Sequence, residues 1–182
     1  MPSLSPPPQI KEFSWVWQKW LYELYAILQG YNSVIQVVNV QDGAVATGTT
    51  VIPEDDTIPQ NTDGDEYITL AITPTNASNT LKIEVVANIS HSAGGEIGAW
   101  LFQDSAADSL GGATAYQSVA AHFNNIKFTH YMTAGTVSAT TFKVRCGCPN
   151  SGTTTFNGEG GVRRYGGVMA SSITITEYKA SL

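Results

Sequence analysis

The chain is short of charge, and of positive charge above all. Charged residues make up 13% of its 182 residues, and 15 Asp and Glu outnumber 9 Lys and Arg, which gives a net charge of −6. A surface of this sign does not neutralise phosphates, so we expect no nucleic-acid partner. The low charge, with abundant Gly, Thr, Ser, Ala and Asn, is typical of β-rich proteins and unlike a helical enzyme.

Cysteine is almost absent. Cys146 and Cys148 are the two cysteines of the chain, and on an extended strand their side chains point to the same face, which does not make a structural disulfide. Zinc binding would need further ligands, and His91, His122 and His130 fall on separate elements. We therefore expect reduced thiols, no metal and no cofactor.

Several segments that would assign a compartment or a reaction are also lacking. The amino terminus has no signal-peptide pattern, so we expect synthesis in the cytoplasm without secretion. The longest apolar region, residues 13–31, contains Lys19 and Glu23, so a membrane span is not expected. No nucleophile elbow, phosphate loop or His-Glu-x-x-His segment is found, and we predict that the protein is not an enzyme.

The amino-terminal part of the chain predicts an arm and a helix. Residues 1–9 carry four prolines and predict an extended arm. Residues 10–31 follow a heptad pattern that places seven apolar side chains on one stripe of a helix. The stripe consists of Ile10, Phe13, Trp17, Trp20, Leu24, Ile27 and Tyr31.

This helix has more apolar surface than one stripe requires. Trp15, Val16, Leu21, Tyr22, Tyr25 and Leu28 extend it almost all the way round. We interpret the helix as an intermolecular element, either a short trimeric bundle or a plug into a larger assembly. Packing on the core of its own domain and lying at a membrane surface are the alternatives. Three heptads make a marginal coiled coil, so a trimer would need further contacts from the downstream domain.

Residues 32–182 predict a single β-sandwich domain. Residues 68–73 and 81–89 alternate apolar and polar side chains around a turn at 74–79, and we interpret them as the seed of an antiparallel sheet. Short strands separated by turn residues, without a βαβ pattern, predict an antiparallel jelly roll. The other predicted strands are residues 34–40, 44–52, 97–103, 116–123, 126–132, 141–146 and 173–178.

Two places in this domain are candidates for contacts with other molecules. Residues 97–103 are apolar in both phases, so Trp100 and Phe102 are predicted to meet another subunit. The glycine-rich loop 151–167 carries Phe156, Arg163, Arg164 and Tyr165, which suit stacking on sugars or docking on a protein. The alternative for this loop is that its glycines serve tight turns.

Some carboxylates are candidates for metal ligands, and one is a candidate for a buried charge. Asn61, Asp63 and Asp65 alternate in an acidic loop, but Gly64 is misplaced for a calcium-binding EF-hand loop. Glu177 shares its strand phase with apolar residues, so it needs a partner if it is buried. Arginine side chains at 145, 163 or 164 are the candidates.

Several segments in order carry a resemblance that reaches from about Val37 to Ala180. They are VNVQDGAVATGTT, DDTIPQNTDGDEYITLAITPTNASNTLKIEVV, WLFQDS, FTHYMTAGT, TTFKVR, TTTFNG and GGVMASSITITEYKA. Together they resemble bacteriophage and prophage virion proteins, in particular modules at the carboxyl-terminal ends of tail-fibre-like proteins. The helix at 10–31 is not part of this recurring module, and no repetitive shaft separates it from the sandwich.

The resemblance implies a trimeric β-sandwich on the exterior of a virion, made in the host cytoplasm. We expect a homotrimeric short tail fibre or receptor-binding tip that binds other virion proteins through the helix and a host glycan or protein through its distal loops. A capsid decoration or head-fibre protein is the alternative. A polysaccharide-degrading tailspike, with Asp104 and Asp108 as first candidates for catalysis, is a third reading.

Overall fold

Alternating apolar residues build two antiparallel sheets, preceded by one helix. The computed structural model describes residues 15–30 and 33–180, and the side chains of 26–30 lie outside that description. The elements are α1 (Trp15–Gly30), β1 (Val34–Asp42), β2 (Ala46–Gly48), β3 (Asp65–Ile72), β4 (Thr80–His91), β5 (Gly95–Gln103), β6 (Gly111–Gln117), β7 (Asn124–Thr133), β8 (Thr140–Gly147), β9 (Thr154–Phe156), β10 (Gly158–Glu159), β11 (Val162–Arg163) and β12 (Ser171–Tyr178).

The topology is that of a jelly roll. One sheet has the order β1-β12-β4-β9-β2, with β7 on the other edge of β4, and the second sheet has the order β3-β8-β5-β6. The chain crosses from one sheet to the other between β2 and β3, β3 and β4, β4 and β5, β6 and β7, β7 and β8, and β8 and β9. Strands that are distant in sequence therefore pair, as in double-sheet jelly rolls. The predicted fold class, a mainly β sandwich after one helix, is confirmed.

The core lies between the two sheets. β4 is the central strand, and its alternate residues from Leu81 to Ile89 are at most 2% exposed. They face Ile97, Ala99 and Leu101 of β5 and Phe142 and Val144 of β8 in one apolar cluster. This cluster closes within the sandwich, so the sandwich has its own hydrophobic core.

Residues 49–64 cover the outer face of the second sheet. Ile52 is buried against Gly147 and Gly64, where a Cβ atom on either glycine would overlap its side chain. The amide of Ile52 donates to the carbonyl of Cys148 at 3.1 Å, and the amide of Gly64 donates to the carbonyl of Val51 at 3.0 Å. The segment is therefore a fixed part of the domain.

Several predicted strands need correction. β3 and β4 do not form a hairpin, because β3 pairs with β8 while β4 pairs with β12, β7 and β9. The run predicted at 44–52 is strand only from Ala46 to Gly48. The strand predicted at 116–123 lies earlier, at β6, and includes the glycines at 111 and 112. The glycine-rich loop predicted at 151–167 contains β9, β10 and β11.

Candidate functional site

The predicted docking stripe is exposed where the structure describes it. Trp17, Trp20 and Leu24 are 55%, 51% and 36% exposed. Ile10, Phe13 and Tyr31 lie outside the described residues, and so does the side chain of Ile27. Among the described residues, Trp17 and Trp20 therefore do not pack on the core of their own domain.

Trp17 and Trp20 of this docking stripe together form an exposed apolar site. Their ring centroids are 5.9 Å apart and the rings are nearly perpendicular, at 83°. Together with Val16 they line an open cleft of about 370 Å³. On the same helix Lys19 lies 5.6 Å from the ring centre of Trp15 and 3.8 Å from the carboxylate of Glu23. Exposed apolar surface of this kind is typical of sites that contact another protein or a membrane surface.

A second exposed surface is the tip, which we define as residues 158–168. β10 and β11 form a hairpin whose two turn residues, Gly160 and Gly161, have φ of 58° and 77°. Positive φ at both positions is the type I′ geometry, which explains why both are glycine. Arg163, Arg164 and Tyr165 are exposed, Tyr165 by 73%, and Arg164 pairs with Glu159 at 3.2 Å.

The base of the tip is fixed by one buried asparagine. The Nδ2 of Asn157 donates to the carbonyls of Asp42 and Ala44 at 2.7 and 3.0 Å. Its Oδ1 accepts from the amide and the hydroxyl of Ser171 at 3.1 and 2.7 Å. A Cβ atom on Gly43 would overlap the carbonyl oxygen of Gly167, so the β1–β2 turn also packs against the tip. These contacts hold the tip in a defined position on the sandwich.

Phe156 does not belong to this surface, which corrects its predicted role in receptor contact. Its side chain is fully buried. The ring stacks on Tyr67 with centroids 5.0 Å apart and an angle of 10°, and β9 pairs with β4 at Ile89. Phe156 is a core residue because its short strand belongs to the sheet, which the glycine-rich sequence around it concealed.

The helix and the tip lie at opposite ends of the sandwich. α1 ends at Gly30, and Ser33 accepts a hydrogen bond from the amide of Lys179 just beyond the end of β12. At the far end of β1, Asp42 pairs with Ser171 at the start of β12, next to the tip. β1 has nine residues, so about 26 Å separates the two ends.

Glu177 stabilises the helix end of the sandwich, with other partners than predicted. It is fully buried, yet no arginine pairs with it among the described residues. Its carboxylate accepts hydrogen bonds from Gln36 Nε2 at 2.6 Å, Asn79 Nδ2 at 2.5 Å, and the amide and hydroxyl of Thr75, both at 2.8 Å. Burial raises the pKa of Glu177, but these hydrogen bonds outweigh burial, so the pKa lies below its ordinary value.

Of the two β5 residues predicted to contact another subunit, Phe102 needs correction. Phe102 is 2% exposed in the single chain and therefore has almost no area to offer a neighbour. Trp100 is half-buried and borders two open grooves.

The outer face of the larger sheet carries exposed residues that the sequence analysis missed. Val37, Thr176, Lys82 and Tyr131 occupy one row across four strands. Val37 and Tyr131 are exposed at the ends of that row, and Lys82 pairs with Glu84 at 2.8 Å. The sequence signal for this exposed face was β1, which has apolar residues in both alternating phases, as residues 97–103 do.

The remaining polar candidates have structural roles. Asp63 accepts from the amide of Gln60, and Asp65 accepts from the amide and hydroxyl of Thr50. Among the described residues no group of three or more His, Cys, Asp or Glu side chains is placed to hold a metal ion. Within the same part of the chain, no helix is long and apolar enough to cross a membrane.

The other reactive side chains are likewise engaged or shielded. Cys146 and Cys148 are free, buried thiols, and burial raises the pKa of each. Asp104 accepts from the hydroxyl of Thr140 and the amide of Thr141, and Asp108 accepts from Gln60. Each of these aspartates holds a loop in place.

No protein-family model matches this chain, and a search of curated proteins found no match. Among solved structures, the Eiger TNF from S. frugiperda is similar over 80% of this chain and 95% of its own, at 10% identity and a TM-score of 0.48. The CBM36-1 domain of a multidomain xylanase from the hindgut metagenome of Trinervitermes trinervoides is similar over 77% and 96%, at 12% identity and 0.39.

A viral capsid protein is also among the similar structures. The VP2 subviral particle of infectious bursal disease virus is similar over 81% of this chain and 38% of its own, at 10% identity and a TM-score of 0.37. These are distant likenesses of β-sandwich architecture.

Proposed function

We propose that this chain is a non-enzymatic structural protein of a bacteriophage virion, a homotrimeric short tail fibre or receptor-binding tip on the particle exterior. The observation that carries the proposal is the contrast between a sandwich with a closed core and an adjoining helix with exposed tryptophans. Trp17 and Trp20 are more than half exposed, and covering them by another chain would remove a large apolar area from water.

The polarity of the molecule supports an attachment role. The helix enters the sandwich at one end, and the tip stands at the other, about 26 Å away along β1. In a fibre, one end binds the particle while the other end meets the host. The resemblance of residues 37–180 to modules of phage virion proteins points the same way.

The proposed assembly has three copies, with the docking stripe as one contact and the outer face of the larger sheet as a further one. Tyr131 and Val37 on that face are exposed in the single chain. A trimer would present three tips together, so weak contacts with a host glycan or protein would combine through their effective concentration.

The first experiment measures oligomeric state. Sedimentation equilibrium of the full chain at micromolar concentration is expected to give a trimer, and the double variant Trp17→Lys/Trp20→Lys is expected to dissociate. Tyr165→Ala at the tip is the matched control and should leave the assembly unchanged. A wild-type monomer under these conditions would contradict the trimer.

The second experiment tests the attachment role and the location. Purified trimer should adsorb to cells of a susceptible host and compete with phage adsorption, and Arg163→Ala/Tyr165→Ala should weaken both. Gold-labelled antibody against the sandwich should mark the tail of the particle. Labelling of the capsid surface would instead support the head-fibre alternative, and absence of any adsorption would exclude the receptor-binding tip.

A further inference from the structure

Trp100 lies flat on the outer face of the smaller sheet. It is the one tryptophan outside residues 15–20. A Cβ atom on Gly98 would overlap Cη2 at one end of the indole, and a Cβ atom on Gly112 would overlap Cδ1 at the other end. Because both ends of the ring touch the sheet, one face of the indole covers the two glycines and the other is turned away from the sheet.

Open grooves adjoin this ring. One has a volume of about 390 Å³ and lies between residues 55–59 and 109–112. The other has a volume of about 230 Å³ and is lined by Glu54, Glu96, Thr114 and Pro149, among others. Trp100 borders both, and we call the two lobes together with this ring the Trp100 groove.

The walls of the Trp100 groove are held by backbone hydrogen bonds. The amide of Ser109 donates to the carbonyl of Pro59 at 3.0 Å, and the amide of Asn61 donates to the carbonyl of Ala107 at 2.7 Å. These bonds join the two loops that form the larger lobe, and Ile52, which lines the smaller lobe, is buried against Gly64 and Gly147. A groove that exists before its ligand arrives avoids the entropy cost of ordering loops.

The lining is acidic and has free hydrogen-bond acceptors. Glu54, Asp55, Asp56 and Glu96 border the groove, and none of them pairs with a lysine or arginine among the described residues. The structure shows no donor to Asp56 in that part of the chain, whereas Asp55 accepts from Thr57.

The cationic side chain beside Trp100 on the sheet already donates hydrogen bonds to the backbone. Arg145 is the cross-strand neighbour of Trp100, and it donates to the carbonyls of Asp63 and Gly64 at 2.8 and 2.6 Å. The groove therefore repels anions.

We propose that the Trp100 groove binds a neutral, hydroxyl-rich oligosaccharide, with one pyranose ring on the indole and its neighbours in the two lobes. The electron-rich face of the indole attracts the C–H groups of a pyranose. Carboxylates accept hydrogen bonds from sugar hydroxyls, and these bonds are strong because the acceptor is charged. The site gives the proposed attachment role a chemical target, and its biological meaning rests on that role.

The three helix tryptophans make a direct optical test possible. In the full-length variant Trp15→Phe/Trp17→Phe/Trp20→Phe, Trp100 is the sole tryptophan, so its fluorescence reports on the groove alone. Maltohexaose and mannohexaose, each titrated to about 10 mM, are the probes, because single-site sugar binding is expected in the millimolar range. At least one should give a saturable blue shift, and hexagalacturonate should give none.

Substitutions then test the geometry by saturation-transfer NMR on the otherwise natural chain. Trp100→Ala should raise Kd at least about tenfold. Gly98→Ala retains the indole but lifts it from the sheet, and it should weaken binding to a similar degree. Asp56→Asn should weaken binding about threefold, because a charged acceptor is replaced by a neutral one. Val137→Ala, at an exposed position in the loop between β7 and β8 and outside both lobes of the groove, is the matched control and should have no effect.

The outcomes separate this site from the proposed function. Absence of a shift with both neutral probes, equal binding of hexagalacturonate, or unchanged binding in a folded Trp100→Ala variant each overturns the proposal. A stronger response to hexalysine than to either sugar also overturns it, since the groove would then bind cationic peptides. Sugar binding by a protein absent from virions would leave the site standing and refute the proposed function.

Discussion

The helix and the sandwich use their aromatic residues in opposite ways. In the sandwich, Phe142 and Phe156 are fully buried, and Phe156 stacks on Tyr67. In the helix, Trp17 and Trp20 stack edge to face in the open. The difference implies that stability comes from one region and contacts with other chains come from the other. Substitutions in the two regions should therefore separate unfolding from assembly.

The largest effect should come from the core of the sandwich. Phe142 is 0% exposed and pairs in register with Leu70 of β3 and Gln103 of β5. Phe142→Ala should lower the free energy of unfolding by about 3–5 kcal/mol, because it leaves a cavity between the sheets. Urea unfolding followed by circular dichroism measures this. Trp17→Ala is the control, and it should leave the sandwich transition in place.

Glu177 should give the next effect, at the end of the sandwich where the helix enters. Glu177→Gln keeps the shape of the side chain but replaces a charged acceptor by an amide whose NH₂ cannot accept. One or more donors from Thr75, Asn79 or Gln36 then stay unpaired, and the free energy of unfolding should fall by about 2–3 kcal/mol. Thermal and urea unfolding at pH 7 test this. A loss as small as that of an exposed residue would show that the network is not stabilising.

The same carboxylate makes a prediction about acid. Because the folded-state pKa of Glu177 lies below the ordinary value of 4.5, its contribution is complete above that pH and is lost as pH falls through the folded-state pKa. The stability difference between the natural chain and Glu177→Gln should therefore be constant near neutrality and shrink below pH 4.5. A difference that grew in acid would contradict the direction of the shift.

A smaller effect is expected where the sandwich supports the tip. Asn157→Ala removes the donors to Asp42 and Ala44 and the acceptor for Ser171. The free energy of unfolding should fall by about 1–2 kcal/mol. Adsorption to host cells should fall as well, because the tip loses its fixed position. Unchanged adsorption at a temperature where the variant is fully folded would remove the tip from the proposed contact.

The sequence predicted those features that depend on local periodicity. Alternation along 81–89 identified β4 and its buried face, and heptad spacing identified the helix, which the structure describes from Trp15 to Gly30. Pairing between distant strands has no local signal, so the sequence predicts that the turn at 74–79 joins paired strands, whereas in the structure it joins the two sheets. For the same reason the sequence around Phe156 predicts a loop, and the partners of Glu177, which come from β1 and from that turn, have no signal in the sequence.

The smallest effect on stability should come from the tip surface itself, where the contrast between regions is sharpest. Tyr165 is 73% exposed, with φ of 49°, a region that glycine prefers. Tyr165→Ala should change the free energy of unfolding by less than about 0.5 kcal/mol. Adsorption to host cells should nevertheless fall, because an exposed aromatic side chain contributes strongly to contacts. Val168→Ala, at a neighbouring exposed position, is the control for general loss of apolar area. A Tyr165→Ala variant that is destabilised by more than about 1 kcal/mol would show that the tip, like the core, is part of what holds the sandwich together.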